Sequence, residues 1–118
     1  MGAMADLVVV ALATYPRARE AAVAHEVVDV GLDGLAGDRP KKAAVSLVGV
    51  DSPMTRTNIV LSGTSAEVEA LDGQVLRIGE VVLAVERTGN SCRGLYAAVG
   101  HPGVVRLGDL VTLEPPGV

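Results

Sequence analysis

Short apolar runs separated by glycine and proline turns recur along the whole chain, and their period is nearer two than 3.6, the pattern of strands. Residues 7–13 are unbroken apolar sequence and predict a strand buried on both faces, ended by Tyr15-Pro16. Residues 25–30 nearly alternate and predict a strand with one wet face, bounded by Gly31. Residues 43–50 and 57–61 predict two more, the latter closed by Gly63. The period then changes: Thr64-Ser65-Ala66-Glu67 fits a capping box, and Ala66, Ala70 and Leu71 share one face of a short helix over residues 65–71. Residues 74–78 and 81–86 flank Gly79-Glu80 and predict a hairpin with a II′ turn. An echo of that turn follows, Arg106-Leu107-Gly108-Asp109-Leu110-Val111, and predicts a second, similar hairpin. Residues 91–99 read as the opening of a second short helix. The sum is an all-β chain with one or two short helices, and a small closed β-barrel is the architecture that leaves no edge strands exposed.

Composition sharpens this picture. With 118 residues there is room for one core, so residues 1–118 are expected to form a single domain, with Met1-Gly2-Ala3-Met4 read as a disordered tag remnant. The chain is 49% hydrophobic and 20% charged, within the globular range. It has no Phe and no Trp, so Val, Leu, Ile and Ala must fill the core, which suits a narrow barrel. No aromatic platform is left for stacking bases. A net charge of −4 argues against nucleic acid and acidic lipid as partners. One cysteine cannot form an internal disulfide, which makes the cytoplasm the expected compartment. The longest apolar run falls far short of a membrane span, and no membrane partner is expected.

The candidate chemistry centres on that cysteine. Cys92 lies in polar, glycine-punctuated sequence, Thr88-Gly89-Asn90-Ser91-Cys92-Arg93-Gly94-Leu95, whereas a packing cysteine ordinarily sits in an apolar run. Arg93 beside it, and the first turn of a helix opening there, would stabilise a thiolate. The same residues also read as a half-buried Cys in a strand-to-helix turn. Two loops gather other polar groups. Residues 34–42 hold Asp38, Arg39, Lys41 and Lys42 among glycines, and suit either an anion such as phosphate or plain solvation. Thr55-Arg56-Thr57-Asn58 is the second: Arg56 reads as an anion contact or an ordinary surface residue, Asn58 as a ligand-orienting group or a turn cap. His25, Cys92 and His101 are too widely spaced for a zinc site. His101 is expected to be exposed in a turn and His25 structural.

Taken in order, Gly34-x-x-Gly37-Asp38-Arg39, Val45-Ser46-Leu47, residues 57–63, residues 76–83, Cys92 and residues 105–111 resemble the MOSC domain, named for the C-terminal domain of molybdenum cofactor sulfurase. The resemblance runs from about Val27 to Leu113, and the ordered set carries it. It implies a barrel of the pyruvate-kinase-barrel type associated with the molybdenum cofactor, a molybdopterin. It further implies that Cys92 carries sulfur as a persulfide, as a sulfurase-type transferase would, or ligates molybdenum. Asp38, Arg39 and Asn58 would then line a cofactor pocket, with Lys41, Arg56 and Arg93 compensating its phosphate. The expected partners are a pyridoxal phosphate-dependent cysteine desulfurase as sulfur donor and a molybdoenzyme or its cofactor as acceptor. A non-catalytic module that binds a pterin cofactor or a protein partner is the alternative.

Overall fold

The computed structural model describes residues 7–17, 21–38, 44–52, 57–86 and 95–114. Eleven strands and one helix follow in the order β1 (Val9–Thr14), β2 (Val23–His25), β3 (Val27–Gly31), β4 (Gly34–Leu35), β5 (Val45–Gly49), β6 (Ile59–Leu61), α1 (Ser65–Glu69), β7 (Val75–Ile78), β8 (Val81–Glu86), β9 (Leu95–His101), β10 (Gly103–Arg106) and β11 (Val111–Leu113). An eight-stranded sheet runs β11-β7-β8-β9-β5-β6-β1-β2, beside a three-stranded sheet β10-β3-β4. The large sheet curls until β1 and β11 meet. A bridge between Val8 and Leu110, with Val111 N donating to Leu7 O at 2.9 Å and Gly108 N to Val9 O at 2.7 Å, joins them. The fold is therefore the all-β barrel that the alternating pattern predicts, with β2 left as a short edge beyond the seam.

Inside, Leu12, Leu47, Ile59, Leu61, Leu76, Ile78, Leu83 and Leu95 are all buried to 2% exposure or less. The three-stranded sheet turns Val28, Val30, Leu35 and Val105 into the same cluster, so both sheets share one core. Each of these side chains contributes roughly 1.5–3 kcal/mol by leaving water.

Three expectations need correction. First, β1 is not buried on both faces: Val10 is 44% exposed, because a bulge between Val9 and Ala11 turns two successive residues outward. The strand of the large sheet that is buried throughout is β5, central in that sheet and packed against α1. Second, Leu95–His101 is a strand, not a helix; Leu95, Ala97 and Val99 point inward with a period of two while β9 pairs with β5 and β8. Among the described residues α1 is the one α-helix. Third, the echoed turns are not two similar hairpins. Ile78 pairs with Val81 across Gly79-Glu80, a true hairpin. Arg106, by contrast, ends β10 opposite Val27, and Val111 begins β11 opposite Ile78. The Gly108-Asp109 turn thus hands the chain from one sheet to the other, held by Asp109 N donating to Arg106 O at 3.1 Å and Arg106 N to Asp109 Oδ2 at 2.7 Å.

The helix does carry the expected capping box. Thr64 Oγ1 accepts from Glu67 N at 3.2 Å, and Glu67 Oε1 accepts from Thr64 N at 2.9 Å. Its buried residue is Val68, with Leu71 buried in the turn just after it, whereas Ala66 and Ala70 are exposed. A third acceptor was not anticipated: Asp51 Oδ1 takes the hydroxyl of Ser65 at 2.8 Å and its N–H at 2.6 Å.

Two predictions follow from these turns and caps. Gly79 (φ +59°) and Gly108 (φ +89°) both occupy left-handed backbone. A Cβ on Gly108 meets nothing, while one on Gly79 runs into Asp109 Oδ2 and lies 2.8 Å from Val104 O. Gly108→Ala should therefore cost about 1–2 kcal/mol by urea denaturation from strain alone, and Gly79→Ala distinctly more, about 3 kcal/mol. Equal losses would contradict the packing of the two turns. The Ser65 hydroxyl, then the Ser65 N–H, hold the Asp51 carboxyl below its usual 3.8. A lowered folded value means the contribution is complete above the unfolded value and is lost as pH falls through the folded one. The stability gap between wild type and Asp51→Asn should accordingly persist at neutral pH and narrow as the pH falls below 3.8; a gap independent of pH would remove Asp51 from the cap.

Candidate functional site

The site grows from the alternation of three neighbouring strands. Ile59 on β6, Leu47 on β5 and Leu95 on β9 stand level with one another and point into the core. One step along, Ser46 lies opposite Tyr96, and the pleat turns Ser46 and Asn58 to the outer face. An outward serine and asparagine would ordinarily meet water. Here Ser46 is 4% exposed and Asn58 is fully buried, so every polar atom needs a partner from the chain.

Asn58 finds four. Its Oδ1 accepts from Ser46 N at 3.1 Å and Ser46 Oγ at 3.3 Å, and its Nδ2 donates to Ala13 O at 3.1 Å and Asp38 Oδ2 at 3.2 Å. Two donors and two lone pairs exhaust what a carboxamide offers. Ser46 Oγ in turn accepts from Asn58 N at 3.0 Å and from Thr57 Oγ1 at 3.2 Å. Tyr15 closes the arrangement. Its hydroxyl accepts from Thr57 N at 3.1 Å and donates to Thr57 O at 3.2 Å, while its own N–H donates to Asp38 Oδ1 at 2.7 Å. Tyr15, Asp38, Asn58, Ser46 and Thr57 thus form a closed hydrogen-bonded ring that ties the end of β1, the exit of β4, β5 and the entry to β6. Such fully satisfied networks rigidify a wall.

The structure therefore brings two of the candidate residues, Asp38 and Asn58, into direct contact across twenty positions of sequence. Cys92, Arg39, Lys41, Arg56 and Arg93 lie outside the described residues. Asn58 spends its amide within the chain, so its place is that of a hub rather than an open ligand contact, and Asp38 is half-buried with both oxygens engaged. Ser46, Thr57 and Tyr15 were not singled out from the sequence; the signal available was a serine inside the apolar run of β5. His25 is structural, its Nε2 2.9 Å from Thr14 Oγ1, and His101 is exposed at the end of β9. Among the described residues no three His, Cys, Asp or Glu side chains gather as metal ligands would.

Strand direction adds a constraint. β5 and β6 run parallel, and β9 runs antiparallel to β5. The chain therefore enters β6 at Ile59 and β9 at Leu95 from opposite directions, at two residues that stand level on either side of Leu47.

No protein-family model matches the chain, and no curated protein sequence matches it. Solved structures do. The chain superposes on the YUAD protein from Bacillus subtilis with a TM-score of 0.73 at 14% identity, covering 91% of this chain and 94% of that one. A second structure, of a hypothetical protein, gives 0.70 at 16% identity over 92% of this chain and 68% of that one. At such identities the likeness is one of fold.

Removing the hub should be costly. Asn58→Ala strands the Ser46 N–H and the Ala13 carbonyl without partners and should cost about 3 kcal/mol or more in urea denaturation. A loss under about 1 kcal/mol would mean that water reaches this wall.

Proposed function

We propose that the chain is a cytoplasmic sulfur carrier whose Cys92 accepts sulfur as a persulfide and passes it toward a molybdenum-pterin cofactor, the substrate of the transfer. The observation that supports this reading is the Asp38–Asn58 contact. Two pieces of the MOSC-like pattern, separate in sequence, meet at 3.2 Å on the barrel wall, as parts of one functional constellation would. Loading is a balanced exchange. The Cys92 thiolate attacks the outer sulfur of a donor persulfide, the donor's S–S bond breaks, its thiolate leaves, and a new S–S bond forms on Cys92 with no net oxidation. A cysteine desulfurase supplies such a persulfide. Arg93 is the cation that sequence places next to the thiolate.

Stable binding of a molybdopterin would need groups beyond Asp38 and Asn58. Of the residues that the resemblance assigns to a pocket, Asp38 and Asn58 are already bonded to Tyr15, Ser46 and Ala13 as parts of the wall. One observation favours the second reading, a non-catalytic binding module. Asp38 and Asn58 are held by the chain itself as a fixed wall, which a binding module can use without a reactive thiol.

The two readings part at the thiol. Incubation with a cysteine desulfurase and cysteine should add one sulfur to Cys92 by mass spectrometry, and Cys92→Ser should stay folded and take up none. A thiol that loads no sulfur, or a serine variant that still supports cofactor maturation, would leave the binding module as the function.

A further inference from the structure

The Asp38 carboxylate is held in a way that its neighbours on β4 do not require. Asp38 already has a backbone bond of the turn, its N–H donating to Leu35 O at 3.0 Å. Its side chain reaches beyond the turn to two donors on the barrel, Tyr15 N–H at 2.7 Å and Asn58 Nδ2 at 3.2 Å, one for each oxygen. Both donors are shielded from water: Tyr15 is 8% exposed and Asn58 is fully buried. Each is also fixed from behind, Asn58 by Ser46 and Ala13, and Tyr15 by its hydroxyl on Thr57. Two preorganised N–H groups, one to each oxygen of a carboxylate, are how a protein recognises that group, and hydrogen bonds to a charged acceptor are the stronger kind.

We infer that Tyr15 N–H and the Asn58 amide form a carboxylate-binding site on the barrel wall, and that Asp38 is its built-in occupant. The occupant straps the three-stranded sheet, through the exit of β4, to the eight-stranded sheet. The strap is chemical rather than steric: among the described residues, it joins Leu35-Ala36-Gly37-Asp38 to the β1 and β6 ends through these two donors. Removing the carboxylate empties the site without removing the donors, so a free carboxylate of formate size is its natural replacement.

The experiment is chemical rescue of Asp38→Ala, read by amide hydrogen exchange and by the NMR signals of the Asn58 side-chain amide. Loss of the carboxylate should speed exchange at Tyr15 N–H and Asn58 Nδ2 by about tenfold or more, since each loses a bond to a charged acceptor. Sodium formate should slow both again, saturably, while sodium chloride at equal ionic strength should not. Unchanged exchange in the variant, or equal effects of formate and chloride, would overturn the inference. If Asp38→Ala does not fold, Asp38→Asn reads the same contact. Its one oxygen can serve only one of the two donors and its amide N–H is set against the other, so exchange should quicken at Asn58 Nδ2 or at Tyr15 N–H. No change at either would sink the proposal there too. None of these readouts involves Cys92, so a failed sulfur-loading assay and a failed strap are separate results.

Discussion

A side-chain amide with no route to water governs the wall of this barrel. Asn58 sits where β6 begins, beside the parallel strand β5. Antiparallel neighbours joined by a tight turn inherit their register from the turn, but parallel neighbours do not. Here Asn58 supplies what a turn would: bonds from Ser46 N and Ser46 Oγ to Asn58 Oδ1 keep Leu47 level with Ile59. A slip of one residue would turn the amide into the core and Ile59 out of it, with the whole hydrogen-bonded set broken. The same amide reaches Ala13 and Asp38, so one residue fixes a register, a third strand and the junction between the two sheets.

What the sequence reveals follows from how local each cause is. The hairpin of β7 and β8 and the cap of α1 are written in adjacent residues: Gly79-Glu80 between alternating runs, and Thr64 three positions before Glu67. The echo at Gly108-Asp109 carries almost the same local text, yet its outcome is a crossing between sheets. Which strand Val111 joins is decided by the place left beside β7, not by the turn. Leu95–His101 failed as a helix for a related reason. Its alanines permit a helix, but strands on both sides, β5 and β8, reward a period of two.

The ring was the least legible part. Asp38 and Asn58 were visible as candidates through the ordered resemblance, but nothing in their spacing said that they would touch. Tyr15, Ser46 and Thr57 were invisible, because a tyrosine after a strand, a serine within one and a threonine before another are each unremarkable alone. Their meaning comes from being buried together, where a polar side chain is tolerable only with every partner in place. Long-range polar networks are thus the feature that periodicity cannot reach: hydrophobic pattern selects the face, and only the assembled sheet decides that an outer face is covered.

The polarity of the strands bears on how a carrier built this way would work. On the sulfur-carrier reading the thiol needs to meet a donor and then an acceptor, each a large partner, and needs only enough thiolate character to attack near neutral pH. Arg93 lies next to it in sequence and suffices for that, since a strongly lowered pKa would also weaken the nucleophile. Cations elsewhere in the chain would add to the thiol only within a Debye length of about 8–10 Å of it. Their use would be to steer an anionic partner or substrate to the barrel. Chemistry and recognition would then be separate tasks of one chain, and the ring of Tyr15, Asp38, Asn58, Ser46 and Thr57 holds the wall of β1, β5 and β6 rigid.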